Sequence, residues 1–255
     1  MSSRATAPLK LLSPRPSGRC VWAFAGTFGG GLLAGDAVSL DVDVGPGASL
    51  LLGTQASTKV YRSPAGVPAR QSLRATIAAG ATLVALPDPV CPFADAVYDQ
   101  RQRFELADGT ASVVLLDWLT SGRAARGERW AFSKYRSRNV ILLGDQPLLN
   151  DALTLDADDA IPTAAMHRTG RYDCLATLVL TGPAARGGAG DALARTAREP
   201  LKVGGPVLAA ASPLGDGGCV FRVMGTGVEA VAAYLKPLLA FVAPLAGDDP
   251  WSRKM

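Results

Sequence analysis

Between Ala37 and Val44 the chain alternates, with Val38, Leu40, Val42 and Val44 set against Ser39, Asp41 and Asp43. A period of two marks a strand with one buried face, and the turn Gly45-Pro46-Gly47 closes it. Runs of similar β-prone character follow at residues 49–52, 73–77, 82–86, 101–106, 112–119, 129–137, 140–143, 148–155 and 174–181. Turn signals separate them at Pro64-Ala65-Gly66, Ala79-Gly80, Asp108-Gly109 and Gly144-Asp145. Many short strands at close spacing predict a mainly β architecture.

Helical periodicity appears only late. Residues 193–198, after Gly190-Asp191, predict a short helix. A second is predicted from Thr226, where Thr226 and Glu229 stand at capping-box spacing and Val228, Val231, Ala232 and Leu235 form an apolar stripe. Pro237 is expected to kink or end it near Lys236. No stretch rich in Gly, Ser or charge divides the chain and no repeat is evident, so residues 1–255 are read as a single domain.

Composition narrows the chemistry. The 255 residues are 48% apolar and 19% charged, enough to bury a core. The 28 glycines and 18 prolines exceed average usage and argue against a bundle of long helices. Aromatic residues make up 6%, so stacking platforms for bases or sugars are sparse. The single histidine, His167, rules out a multi-histidine metal site, and its polar turn suits an exposed side chain better than a ligand. Cys20, Cys91, Cys174 and Cys219 form no CxxC pair, so a zinc finger or thioredoxin-like motif is absent and reduced, mostly buried thiols are expected.

The most apolar late segment, residues 228–245, carries Glu229, Lys236, Pro237 and Pro244 and does not read as a membrane span. Pro8, Lys10, Pro14 and Arg15 interrupt any secretory core at the start. The acid-free opening with Arg4, Lys10, Arg15 and Arg19 has transit-peptide composition, but its prolines oppose an amphipathic helix, and a cytoplasmic protein is expected. Net charge is +4. Basic residues cluster at Arg123, Arg126, Arg129, Lys134, Arg136 and Arg138, and acids follow at Asp145, Asp151, Asp156, Asp158 and Asp159. The two groups can neutralise each other on adjacent strands, which leaves no uncompensated basic stripe for nucleic acid.

Four stretches carry the densest chemistry. Residues 29–36, Gly-Gly-Gly-Leu-Leu-Ala-Gly-Asp, lack the Lys-Ser/Thr of a P-loop and lead into a strand, so Gly29, Gly30 and Gly35 suit a tight turn at positive φ. Residues 54–63 are almost wholly polar yet β-prone, a pattern that fits either backbone satisfaction or the wall of a polar passage. No G-x-S-x-G elbow surrounds their serines. Asp117 interrupts the apolar run 113–119, where a charge must be paired or functional. Asp117 and Glu128 can be imagined as a carboxylate pair for glycoside chemistry, but Arg123 and Arg126 lie close enough to neutralise them as structural ion pairs.

Residues 29–36 and then Gln55-Ala-Ser-Thr-Lys-Val-Tyr-Arg-Ser63 resemble two blocks of the UreD (UreH) family of urease accessory proteins. Pro87-Asp-Pro-Val-Cys-Pro-Phe-Ala94 and the stretch from Asp117 through Gly122-Arg123 to Gly127-Glu128 resemble the next two, in the same order. Gly53 stands where the family more often has threonine, and Cys91 where it commonly has another residue. The resemblance implies a β-helix-like stack of short strands with two helices toward the C-terminus, and no catalytic residues. It implies a scaffold that binds apo-urease together with UreF and UreG and assists nickel insertion through an internal polar passage. Nickel is then in transit, no cofactor is stably bound, and GTP is used by UreG. Oxygen ligands hold nickel less tightly than imidazole or thiolate, so Asp36, Gln55, Asp117 and Glu128 are the expected lining or support of the passage. Gly29, Gly30, Gly35, Lys59, Tyr61, Arg62, Gly122, Arg123 and Gly127 match the family blocks as interaction or structural positions. The competing reading from a different class is a β-helical carbohydrate-active enzyme using Asp117 and Glu128.

Overall fold

The computed structural model describes residues 2–15, 18–157, 169–198 and 204–252. The early strands are β1 (Leu9–Leu12), β2 (Val21–Thr27), β3 (Ala37–Val44), β4 (Ser49–Thr54) and β5 (Thr58–Val60). Next come β6 (Ala69–Ile77), β7 (Thr82–Leu86), β8 (Val90–Pro92), β9 (Val97–Leu106) and β10 (Ser112–Thr120). A single 3-10 turn (Ala124–Arg126) precedes β11 (Lys134–Leu143), β12 (Gln146–Asp156) and β13 (Cys174–Thr181). The C-terminal part holds α1 (Pro183–Arg198), β14 (Val207–Leu214), β15 (Gly218–Gly225), α2 (Val228–Leu238) and α3 (Val242–Ala246).

The strands form two sheets. One runs β1-β2-β4-β7-β10-β13-β15-β14 with β5 and β8 alongside, and the other runs β12-β11-β9-β6-β3. Pairing is parallel from β2 through β4 and β7 to β10, and also from β3 through β6 and β9 to β11. A chain that visits the two sheets in turn and always advances one position makes stacked coils, the solenoid implied by the resemblance. Register then lines up like residues. Trp22, Leu51, Val84, Val114, Leu180 and Cys219 form one row, which packs under the helices. The next row, Ala23, Leu52, Ala85, Leu115, Val179 and Val220, faces the second sheet. Both faces of the first sheet are thus covered, which is why β7 reads as an unbroken apolar run. Each fully buried Leu or Val contributes roughly 1.5–3 kcal/mol.

Three expectations are corrected. Residues 129–137 and 140–143 are not two strands: β11 is continuous from Lys134, and the preceding loop is held elsewhere. There Arg129 forms an ion pair with Asp173 and donates to the Gly170 carbonyl at 2.5 Å, while Trp130 adopts φ 54°. Helix α1 begins ten residues before the predicted start. Its glycines are poor helix formers, but they allow close packing: a Cβ on Gly188 would sit 2.2 Å from the Phe241 ring. Ala185, Ala189 and Ala192 bury the same face. At α2 the Thr226–Glu229 box does not form. Gly227 in extended conformation is the N-cap, without a side-chain bond, and Pro237 is accommodated in the last turn before Leu238.

The basic and acidic segments do meet across the antiparallel pair β11–β12, where Lys134 pairs with Asp156 and Arg138 Nε donates to Asn150 Oδ1 at 3.1 Å. His167, Asp158 and Asp159 lie outside the described residues. All four cysteines are free, with Cys20, Cys174 and Cys219 buried and Cys91 half-buried. Burial pushes the Cys174 and Cys219 thiols up to about 12. No helix among the described residues is long and apolar enough to cross a membrane.

Candidate functional site

The inner face of the second sheet is built from rows that cross β6, β9 and β11. Ala69, Tyr98 and Tyr135 form one row, and Ala75, Phe104 and Ile141 another. Between these apolar rows lie Gln71, Gln100 and Ser137, then Leu73, Gln102 and Asn139. Side chains two apart on a strand share a face, so the in-phase polar residues enter the sandwich as a belt between two hydrophobic clusters.

Asp117 meets that belt from β10. Its carboxylate accepts hydrogen bonds from Gln100 Nε2 at 2.9 Å, Asn139 Nδ2 at 2.8 Å and Ser137 Oγ at 2.6 Å. Gln102 Nε2 donates to Asn139 Oδ1 at 2.9 Å, and the Tyr98 hydroxyl lies 2.9 Å from Gln100 Oε1 and 3.0 Å from Gln71 Oε1. No cation pairs with Asp117 among the described residues. Burial pushes its carboxyl above the ordinary value, and the three hydrogen bonds pull only partly against that. Burial also raises the Tyr98 and Tyr135 phenols well above their usual value, with the Asp117 charge adding to the effect.

Three cavities follow the belt. An outer cavity of about 330 Å³ is lined by Gly29, Gly30, Gln55, Ser57, Thr58 and Gln71, among others. A narrow one of about 60 Å³ continues past Thr54, Thr58, Gln71, Gln100 and Gln102 to Asp117, room for a few waters. Beyond Asp117 a groove of about 390 Å³ opens between β12 and β14, with Asp151, Thr177 and Arg222 beside apolar Leu153, Leu175 and Met224. Consecutive cavities share lining residues: Thr58 and Gln71 join the first two, and Asp117 joins the last two. Thr177 lies opposite Asp117 and Arg222 opposite Thr177. Arg222 reaches across to pair with Asp151 of the other sheet; the arginine side chain is 64% exposed and the aspartate 8%.

Among the other sequence candidates, Asp36 and Glu128 line none of the three cavities. Asp36 Oδ2 accepts the Leu33 N–H at 2.8 Å and closes the glycine-rich turn, in which Gly29, Gly30 and Gly35 have φ of 85°, 75° and 87°. Gly31 packs on the second block: a Cβ there would lie 2.6 Å from the Tyr61 ring and 2.8 Å from the Lys59 carbonyl oxygen. Lys59 and Arg62 are exposed. Tyr61 meets Phe93 edge-on at 5.3 Å, and the Arg123 guanidinium lies 4.0 Å from the centroid of the same Phe93 ring. Arg123 pairs with Glu128, which also accepts the Ala94 N–H at 3.1 Å. Arg123 thereby holds the Glu128 carboxyl below its ordinary range. Gly127 at φ 77° ends the 3-10 turn, and Gly122 at φ 112° has Glu128 and Pro92 carbonyls within 2.8 Å of where a Cβ would stand. Cys91 pairs with Lys59 across β8 and β5.

Asp117 and Glu128 therefore occupy separate environments and share no partner. The expected neutralisation by arginine holds for Glu128 but not for Asp117, and the two acids do not form a carboxylate pair. Sequence reasoning missed Gln71, Gln100, Gln102, Ser137, Asn139 and Asp151. Their signal was phase, because each of the β9 and β11 residues is two or four positions from an inward aromatic or Ile.

The sequence model of the family described as "UreD urease accessory protein" matches residues 1–254. A "Urease accessory protein UreD" from Sorangium cellulosum is 51% identical over 251 residues, covering 98% of this chain and 78% of the relative. One from Anaeromyxobacter sp. is also 51% identical, over 249 residues, covering 98% and 82%. "Urease accessory protein D" of Oryza sativa subsp. indica is 34% identical over 271 residues, covering 96% and 88%. With a family match along almost its whole length and relatives of this similarity, the chain belongs to the UreD family of urease accessory proteins.

Proposed function

We propose that this chain is a non-enzymatic maturation scaffold of the cytoplasm that binds apo-urease with UreF and UreG and conducts nickel toward the urease active site through the polar belt. The observation that carries the reading is the row of three cavities that share Thr58, Gln71 and Asp117 as lining residues. Polar side chains set among apolar ones along its walls present amide, hydroxyl and carboxylate groups, which bind nickel weakly enough to release it. Gln55 and Thr58 stand at one end, and Asp117 stands where the narrow part widens. Asp36 and Glu128 act as supports, one closing the glycine-rich turn and the other pinning the Phe93–Arg123 loop. A dication approaching Asp117 supplies the counter-charge that the site otherwise lacks and favours its ionised form.

The test is co-expression with the host's urease subunits, UreF and UreG, followed by tag capture and a urease assay with nickel. Asn139→Leu, which removes a hydrogen-bond donor to the Asp117 carboxylate, is expected to lower activation at least about tenfold while co-purification persists. Full activation by both Asn139→Leu and Asp117→Asn would remove the belt from the route.

A further inference from the structure

We infer that the glycine-rich turn and β5 form a docking face for an acidic protein surface, which caps the outer cavity. The inference rests on the passage reading for its functional meaning but not for its physical basis. Phe28 and Leu33 flank the three glycines and are 61% and 59% exposed, and Val67 beside Gly35 is 43% exposed. Large apolar side chains left this exposed on a tight turn are anchors of the kind that protein partners bury.

The turn and strands β1 and β5 carry two lysines, Lys10 and Lys59, and one acid, Asp36. Lys10 Nζ lies 5.9 Å from the Phe28 ring centroid, and its stem stands beside Gly26 and Gln55 at the rim. Lys59 is exposed with its Cβ against Gly31. Neither lysine has an acidic partner among the described residues. The acid of this turn, Asp36, accepts a backbone N–H instead. Lys10 lines this mouth and Lys59 stands on the adjoining β5, and an ammonium group without an acidic partner opposes entry of a dication over a Debye length of about 8 Å. A partner that presents carboxylates around an apolar contact resolves both problems: it covers Phe28 and Leu33, cancels the lysine charges and places oxygen ligands over the opening.

The test compares the wild type with Lys10→Glu/Lys59→Glu, Lys10→Gln/Lys59→Gln and Phe28→Ala. Each tagged chain is co-expressed with the urease subunits, UreF and UreG and captured across a range of NaCl concentrations. Charge reversal is expected to weaken capture of one partner by about tenfold or more, neutralisation by less, and Phe28→Ala without much change in salt dependence. Unchanged capture of every partner by the reversed variant overturns the inference. If the reversed variant melts early, the Gln pair decides, and wild-type capture at low salt by that pair overturns it too. Loss of self-association in light scattering, with partner capture intact, would assign the face to a second copy instead. Asp117→Asn separates the two readings. Normal activation by that variant and by Asn139→Leu, together with lost capture on charge reversal, leaves the docking face standing and removes the passage.

Discussion

Replacing Asp117 by asparagine keeps the shape and removes the charge, so it isolates what the buried carboxylate does. In the native fold one oxygen faces Gln100 Nε2 and the other faces Ser137 and Asn139, and all three neighbours donate. An asparagine carbonyl can keep Ser137 and Asn139, but its own NH2 then confronts the Gln100 NH2, which retains only the 3.2 Å bond to Ser137. Losing one hydrogen bond to a charged acceptor costs about 1.5–3 kcal/mol. Relief from burying an unpaired carboxylate offsets part of that, so a net loss of about 1–2 kcal/mol is expected at pH 7.5. The pH dependence is the sharper reading. Burial raises the Asp117 carboxyl in the fold, so the native state holds more proton than the unfolded chain between the ordinary and the raised value. The wild type therefore gains stability as pH falls through that interval, and the variant, with nothing to titrate, does not. The gap should widen by up to about 1.4 kcal/mol for each pH unit traversed. Urea unfolding of both proteins, followed by tryptophan fluorescence at pH 7.5, 5.5 and 4, measures it. A gap that stays constant or narrows all the way down to pH 4 would show that the fold does not raise the carboxyl and refute the reasoning.

Glu128→Gln should behave oppositely, because Arg123 depresses that carboxyl: the wild-type advantage is present above the ordinary carboxylate value, fades as pH falls through the lowered one, and weakens with salt, as thermal melts will show. Arg222→Ala strands the nearly buried Asp151, whereas Asp151→Ala frees an arginine that already reaches solvent, so urea midpoints should report about 1–3 kcal/mol for the first and under about 1 for the second. Gly182 at φ 87° has the Ala111 carbonyl oxygen 2.1 Å from where a Cβ would stand, and Gly182→Ala should cost about 3 kcal/mol or more, measured by the same unfolding curves. Ellman's reagent should label Cys91 rapidly in the folded protein, a phase removed by Cys91→Ser, and reach Cys20, Cys174 and Cys219 only after unfolding.

Strands that alternate cleanly or run apolar without a break were legible. Val38 through Val44 announced β3, and residues 82–86 and 174–181 coincide with β7 and β13. Asp117 was legible as a charge inside an apolar run, and Arg123 with Glu128 as a local ion pair. The belt was not, because Gln100 and Gln102 sit among Arg101 and Arg103, and an all-polar strand does not say which side faces in. Only the phase with Tyr98 and Phe104 assigns it. Helix α1 was truncated in the reading because Gly187, Gly188 and Gly190 carry low helix propensity, and the compensating partner, Phe241, lies far along the chain. Strands β14 and β15 escaped because Ala-Ala-Ala-Ser-Pro and flanking glycines offer little alternation.

Trp22 on the second strand donates its indole N–H to the Ala246 carbonyl at 2.9 Å, a bond that joins residues 224 positions apart. During synthesis the coils that carry Trp22, Leu51 and Val84 emerge first, while the helices that cover that side of the sheet leave the ribosome last. The nascent chain thus spends most of its translation with an oily sheet face open to its surroundings. Its solubility at that stage depends on the speed of elongation and on whatever shelters the face until residue 246 arrives.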